Sequence, residues 1–125
     1  MFARLMGLQT VSPRHLHGRM QEEPVTVVDV NAPASWKAAR VPGAVNLDPV
    51  TFESRDLPTD KAAPLVFYCS DLFCRKAPNA ARRSTAMGYQ RVYVMSAGIK
   101  GSLDTGLPIE SGPDFGAPAT APRNR

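Results

Sequence analysis

The sequence predicts an α/β domain built on a parallel sheet with helices on both faces. Two observations carry this: short apolar runs of strand character recur along the chain, and segments of helical pattern alternate with them. Right-handed crossovers are the economical way to join such elements.

In chain order, Gln9, Thr10 and Val11 can form a short first strand. Ser12 and Pro13 then make an N-cap and N1 pair that opens a helix running to about Met20. Residues 21–24 read as a turn. Residues 25–30 are the strongest strand signal in the chain, broken near the C-terminal end by Asp29. A carboxylate in such a run is costly unless it is hydrogen-bonded, so Asp29 is expected to bond backbone N–H groups of neighbouring loops.

Pro33 leads into a short helical segment with Trp36 as a core or edge anchor, and residues 41–46 turn into another short strand closed by Leu47. Residues 48–63 read as loop with one helical turn near 51–54. Leu65, Val66, Phe67 and Tyr68 form an unbroken apolar run, as in strands buried on both faces. Pro78 suits the first turn of the helix that follows, where its missing N–H costs nothing. Ala77, Ala80, Ala81, Ser84 and Met87 share one face of that helix, Arg82 and Arg83 lie elsewhere, and Gly88 stops it. Residues 92–95 are the last strand, 96–98 a tight turn, and 99–105 a terminal helix ended by Gly106, after which 107–109 tuck back. A domain over residues 1–110 is expected, followed by a disordered Gly/Pro/Ala-rich tail over 111–125.

The chemistry is placed where strand 65–68 delivers Cys69 into a short loop opening onto a helix. Loop N–H groups can curl toward a common centre, and the helix behind them adds the positive end of its dipole. With Arg75 and Lys76 close by, a cysteine at the rim of this cup is stabilised as thiolate, which makes Cys69 a candidate nucleophile. The competing reading is an inert thiol buried at a strand end. Cys74 also has two open readings: a resolving thiol that closes a disulfide with Cys69, or a small apolar residue packed beneath the loop.

Composition narrows the function classes. The 125 residues suit one domain, and no segment is long and apolar enough to span a bilayer. The N-terminus lacks a sustained apolar stretch and a small-residue cleavage site, so a cytoplasmic location is expected. Two cysteines sharing one loop are not a disulfide framework, which agrees with a reducing compartment. The net charge of +4 is scattered, without a basic stripe interleaved with aromatics, which argues against nucleic acid as partner. His15 and His17 are two residues apart on a helix and do not share a face, so no metal site is expected.

Four segments together carry a resemblance: 27–30 (Val-Val-Asp-Val), 41–46 (Val-Pro-Gly-Ala-Val-Asn), the Cys69 loop, and 88–94 (Gly-Tyr-Gln-Arg-Val-Tyr-Val) running on through Gly98, Ile99 and 106–108. From about residue 10 to 110 the chain resembles single-domain rhodaneses, the rhodanese-like sulfurtransferases. The resemblance implies a three-layer α/β/α fold with a five-stranded parallel sheet and a cysteine that carries sulfur as a persulfide. Cys69 would attack the outer sulfur of thiosulfate or a related donor, and a thiol or cyanide would take the sulfur away. Ser70, Asp71, Leu72, Phe73, Cys74, Arg75 and Lys76 would bind substrate, chiefly through loop N–H groups, with Asp29 and Arg40 in supporting positions. No cofactor is implied. The partners would be a small sulfur donor and a thiol acceptor, which could be a protein, with neither nucleic acid nor membrane.

The chain also departs from the family pattern. An arginine commonly stands five positions after the cysteine, but here that position is Cys74 and the arginine is Arg75. The resulting Cys-x5-Arg spacing is that of rhodanese-fold phosphatases and related arsenate reductases, which supplies a rival reading. Asn31 and Ser35 stand where an arginine and an acidic residue are usual, Arg40 replaces a histidine, and Ser102 a tryptophan. These losses leave a third reading open, a non-catalytic rhodanese-like binding module.

Overall fold

The computed structural model of the chain describes residues 2–113. The strands β1 (Gln9–Thr10), β2 (Thr26–Asp29), β3 (Val45–Asn46), β4 (Leu65–Tyr68) and β5 (Val92–Val94) form one all-parallel sheet in the order β1-β5-β4-β2-β3. The helices are α1 (Phe2–Leu5), α2 (Pro13–Glu22), α3 (Pro33–Ala38), α4 (Lys76–Ala86) and α5 (Gly98–Asp104). This is the five-stranded, three-layer α/β/α arrangement that the resemblance implies.

β4 lies at the centre, flanked by β2 and β5, and all four of its residues are buried. The pleat sends alternate side chains to opposite faces. Leu65 and Phe67, and Cys69 just beyond, pack on one face with Ala77, Ala80 and Ala81 of α4, whose small side chains let the helix lie close. Val66 and Tyr68 pack on the other face with Leu16 of α2, and Ile99 of α5 borders that cluster. Burying side chains as large as Leu65 and Phe67 stabilises the fold by roughly 1.5–3 kcal/mol each. One strand thereby anchors both cores and fixes where Cys69 emerges.

Several boundaries differ from the sequence expectation. α2 runs to Glu22, past the expected end at Met20, so Gln21 and Glu22 are helical and not part of a turn. The reason is Glu23 at the C-cap: its N–H bonds the Arg19 carbonyl, and its carboxylate pairs with both Arg19 and Arg91. The helical turn expected near 51–54 is a 3₁₀ turn over Ser54–Asp56, set by reciprocal capping between Glu53 and Asp56. α1 was not anticipated at all. Its Ala3 is 1% exposed and joins the core beside Cys69. Of the expected tail, residues 114–125 lie outside those described, while the Gly112 N–H bonds the Lys37 carbonyl and the Gly112 carbonyl accepts from Arg40.

Two buried devices position the end of β4. On one face the Tyr68 hydroxyl donates to Asp29 Oδ2 at 2.7 Å and accepts the Val41 N–H at 3.0 Å, while Asp29 Oδ1 accepts the Asn31 N–H at 2.8 Å. Asp29 thus bonds a neighbouring loop amide, as expected, and links β2, β4 and the segment before β3. Burial pushes the Asp29 carboxyl above the ordinary carboxylate range, against the bonds from Tyr68 and Asn31 and the charge of Arg40. Burial and the adjacent Asp29 raise the Tyr68 phenol, so it remains a donor at neutral pH. The second device is Gly98, at φ +68, where a Cβ would lie 2.5 Å from the Ser70 carbonyl carbon and oxygen. This close approach lets the Ile99 and Lys100 N–H groups bond the Cys69 and Ser70 carbonyls at 3.0 and 3.1 Å.

Three outcomes are expected from these devices. Tyr68→Phe leaves a buried carboxylate oxygen and the Val41 N–H without their partner and should cost roughly 2–4 kcal/mol in urea unfolding. Because the folded pKa of Asp29 is raised, its contribution to stability is full below the ordinary aspartate value and is lost as pH rises through the folded value. The unfolding free energy of wild type relative to Asp29→Asn should therefore decline as pH rises above about 4, the ordinary aspartate value, and a flat difference would contradict the assignment. Gly98→Ala combines positive φ with a backbone clash, and should destabilise by roughly 3 kcal/mol or more in the same assay.

Candidate active site

Cys69 follows β4 directly and is 3% exposed. It is joined by a disulfide to Cys74, with Cα atoms 6.3 Å apart, within the ordinary span of such bonds. Of the two open readings of Cys74, the bonding partner is the one observed.

The cause is local. Asp71 Oδ1 accepts the Phe73 N–H at 3.0 Å and the Asp71 carbonyl accepts the Cys74 N–H at 3.3 Å. This side-chain-closed turn bends the loop back, so that Cys74 returns over Cys69. The same bonds alter the anticipated anion cup: the Phe73 and Cys74 amides face Asp71 instead of a common centre. Pro78, in the first turn of α4, has no N–H to add, and Arg75 at the N-cap makes no side-chain capping bond.

Around this turn the remaining loop residues fan outward. Ser70, Arg75 and Lys76 are exposed, and the apolar apex residues Leu72 and Phe73 are 47% and 69% exposed. Cys74 is half-buried and borders two spaces. Inside is a cavity of about 10 Å³ that Cys69, Asp71, Ala3 and Ser96 also line, on the scale of one water molecule. Outside is a broad groove of about 660 Å³ along α4, whose walls include Val50, Arg75, Lys76, Asn79 and Arg82. The cations there give the approach to Cys74 a positive potential.

The supporting residues stand elsewhere. Asp29 is engaged with Tyr68 and Asn31, on the opposite face of the sheet from Cys69. Arg40 is 3% exposed, donates to Glu110 Oε1 at 3.0 Å and to the Trp36 and Gly112 carbonyls, and stacks on the Trp36 ring at 4.0 Å. It clamps residues 110–112 to α3, and Trp36 anchors that edge by donating to the Ala44 carbonyl. Among the described residues no three His, Cys, Asp or Glu side chains gather as a metal-binding group.

Two members of the site were not singled out from the sequence. The Ser96 hydroxyl is buried without a hydrogen-bond partner and lines the same cavity as Cys69. In the sequence it is one residue of a turn, and only the pairing of β5 with β4 places it beside the cysteine. Ala3 seals another side of that cavity, and nothing in its residue type signals a site.

Comparison with known proteins agrees with this architecture. A model of the rhodanese-like domain family matches residues 12–104. The HTH-type transcriptional regulator Rv0324 of Mycobacterium tuberculosis is 29% identical over 98 residues, which are 78% of this chain and 43% of that protein. The chain therefore spans less than half the length of this curated relative. Among solved structures, a thiosulfate sulfurtransferase from Pseudomonas aeruginosa superposes with a TM-score of 0.76 at 23% identity, covering 86% of this chain and 20% of that one. A Rhodopseudomonas palustris protein described as a possible tyrosine phosphatase superposes with a TM-score of 0.68 at 23% identity, covering 86% of this chain and 88% of that one. These structural likenesses speak for the fold, and the family match spans β2 to β5, the cysteine behind the central strand and the α4 loop alike: the chain belongs to the rhodanese-like domain family.

Proposed function

We propose that the protein is a sulfurtransferase in which Cys69, once its disulfide is reduced, carries sulfane sulfur as a persulfide. The observation that carries this reading is the cavity at the end of the central strand, which joins Cys69 to the unpartnered Ser96 hydroxyl in a space the size of one small group. In the first step the Cys69 thiolate attacks the outer sulfur of thiosulfate or a related donor. A sulfur–sulfur bond forms at Cys69, and the bond to the sulfonate sulfur breaks with its electron pair, releasing sulfite. In the second step an acceptor thiolate or cyanide takes the outer sulfur, and Cys69 leaves as thiolate. Splitting the transfer at a covalent intermediate lowers each barrier. The Ser96 hydroxyl is placed to donate to the outer sulfur while it carries negative charge. A reducing compartment such as the cytoplasm would keep the pair open.

Phosphate or arsenate chemistry is favoured by the Cys-x5-Arg spacing alone. Against it, a second sulfur, Cys74, stands within bonding reach of Cys69, which suits the exchange of one sulfur for another.

Freshly reduced, thiol-free protein mixed with thiosulfate should release about one sulfite per chain, and Cys69→Ser should release none above background. Ser96→Ala should slow the release about tenfold, the loss of one hydrogen bond to a charged group. Turnover of a chromogenic phosphate ester without sulfite release would overturn the reading in favour of the hydrolase, and silence in both assays in favour of a binding module.

A further inference from the structure

The placement of Cys74 points to a further activity, which rests on the Cys69 persulfide proposed above. The cavity at Cys69 has room for about one small group, so an outer sulfur bound there nearly fills it. Cys69 itself is 3% exposed, enclosed by Ala3 of α1, by Ser96 and by Cys74. Donor and acceptor alike reach Cys69 only by displacing part of this enclosure, which a neighbour within the loop need not do. The nucleophile already within bonding reach of Cys69 is Cys74, held there by the Asp71 turn.

We infer that Cys74 resolves the Cys69 persulfide, so that the protein releases sulfane sulfur as hydrosulfide and acts as a thiol-dependent thiosulfate reductase. The Cys74 thiolate attacks Sγ of the protonated persulfide. The Cys69–Cys74 bond forms, the bond to the outer sulfur breaks, and that sulfur leaves with the electron pair and its proton as HS⁻. The product is the disulfide seen in the structure.

Resetting the site requires two equivalents of external thiol, or one dithiol. Cys74 is the sulfur open to attack, because it is half-buried and lines the outer groove, whereas Cys69 faces inward. A thiolate entering past Arg82 and Lys76 attacks Cys74 Sγ, and Cys69 departs as thiolate. A second thiol then cleaves the mixed disulfide. The sum is thiosulfate plus two thiols giving sulfite, hydrogen sulfide and one disulfide, with the thiols oxidised and the sulfane sulfur reduced. The positive groove favours thiols that carry negative charge.

The test follows the fate of the transferred sulfur in the full chain. Reduced, thiol-free protein is given one equivalent of thiosulfate without oxygen, and intact mass, sulfite and sulfide are read together. Wild type should yield about one sulfide per chain and finish two hydrogens lighter. Cys74→Ser and Cys74→Ala, each checked for native circular dichroism, should finish one sulfur heavier, release no sulfide, and lose the extra sulfur to cyanide. Sulfite release from wild type with a persulfide as lasting as in Cys74→Ser would overturn the resolving role alone. Failure of wild type to release sulfite would overturn the persulfide and this inference with it.

Discussion

The site depends on how the chain leaves β4. After the buried Tyr68, the Cys69 and Ser70 carbonyls accept the first amides of α5, and Gly98 makes that approach possible because no side chain intervenes. Two hydrogen bonds thereby fix the direction in which the loop departs, and everything later in the loop inherits it. Asp71 then closes its turn on Phe73 and Cys74, which returns the second sulfur to the first. Loss of the close approach would cost the active loop its origin as well as α5 its docking.

β4 divides its labour by parity. Odd-numbered side chains, ending in Cys69, face α4 and the loop, and even-numbered ones, ending in Tyr68, face the hydrogen-bonded cluster with Asp29 and Val41. A buried carboxylate is a costly way to join strands, yet its two accepted bonds specify which loop lies against which strand. Since Tyr68 and Cys69 are adjacent, rigidity imposed on one face is transmitted through a single peptide unit to the Cys69 sulfur. Asp29 supports the site in that sense, from the far side of the sheet.

β2, β4 and β5 were legible because each carries a short apolar run, and the α4 face because its alanines repeat at helical spacing. The position of Cys69 followed from the same pattern. Other features depend on partners remote in sequence. α2 outlasts its expected end because Glu23 meets Arg91, a residue 68 positions away. The burial of the Ser96 hydroxyl arises only when β5 pairs with β4. Ala3 carries no local signal, being a small residue that fits wherever a gap of its size exists. The Cys69–Cys74 bond lay between these cases: a separation of five permits it, and the Asp71 turn, which the sequence alone did not single out as its cause, decides it.

The longer loop changes the meaning of the position where the family commonly has arginine. An arginine there would face an anion held by the loop, whereas Cys74 presents a sulfur nucleophile at that place. The extra residue moves the cation to Arg75, on the outer groove, where it attracts what approaches and no longer grips what is bound. Meanwhile the Asp71 carboxylate accepts the Phe73 amide and its main-chain carbonyl the Cys74 amide, so both are engaged within the protein. Both changes alter the loop as an anion cup, and they set a second sulfur where an arginine commonly stands. On the reading proposed above, a second sulfur within bonding reach of Cys69 therefore weighs more than the arginine spacing does.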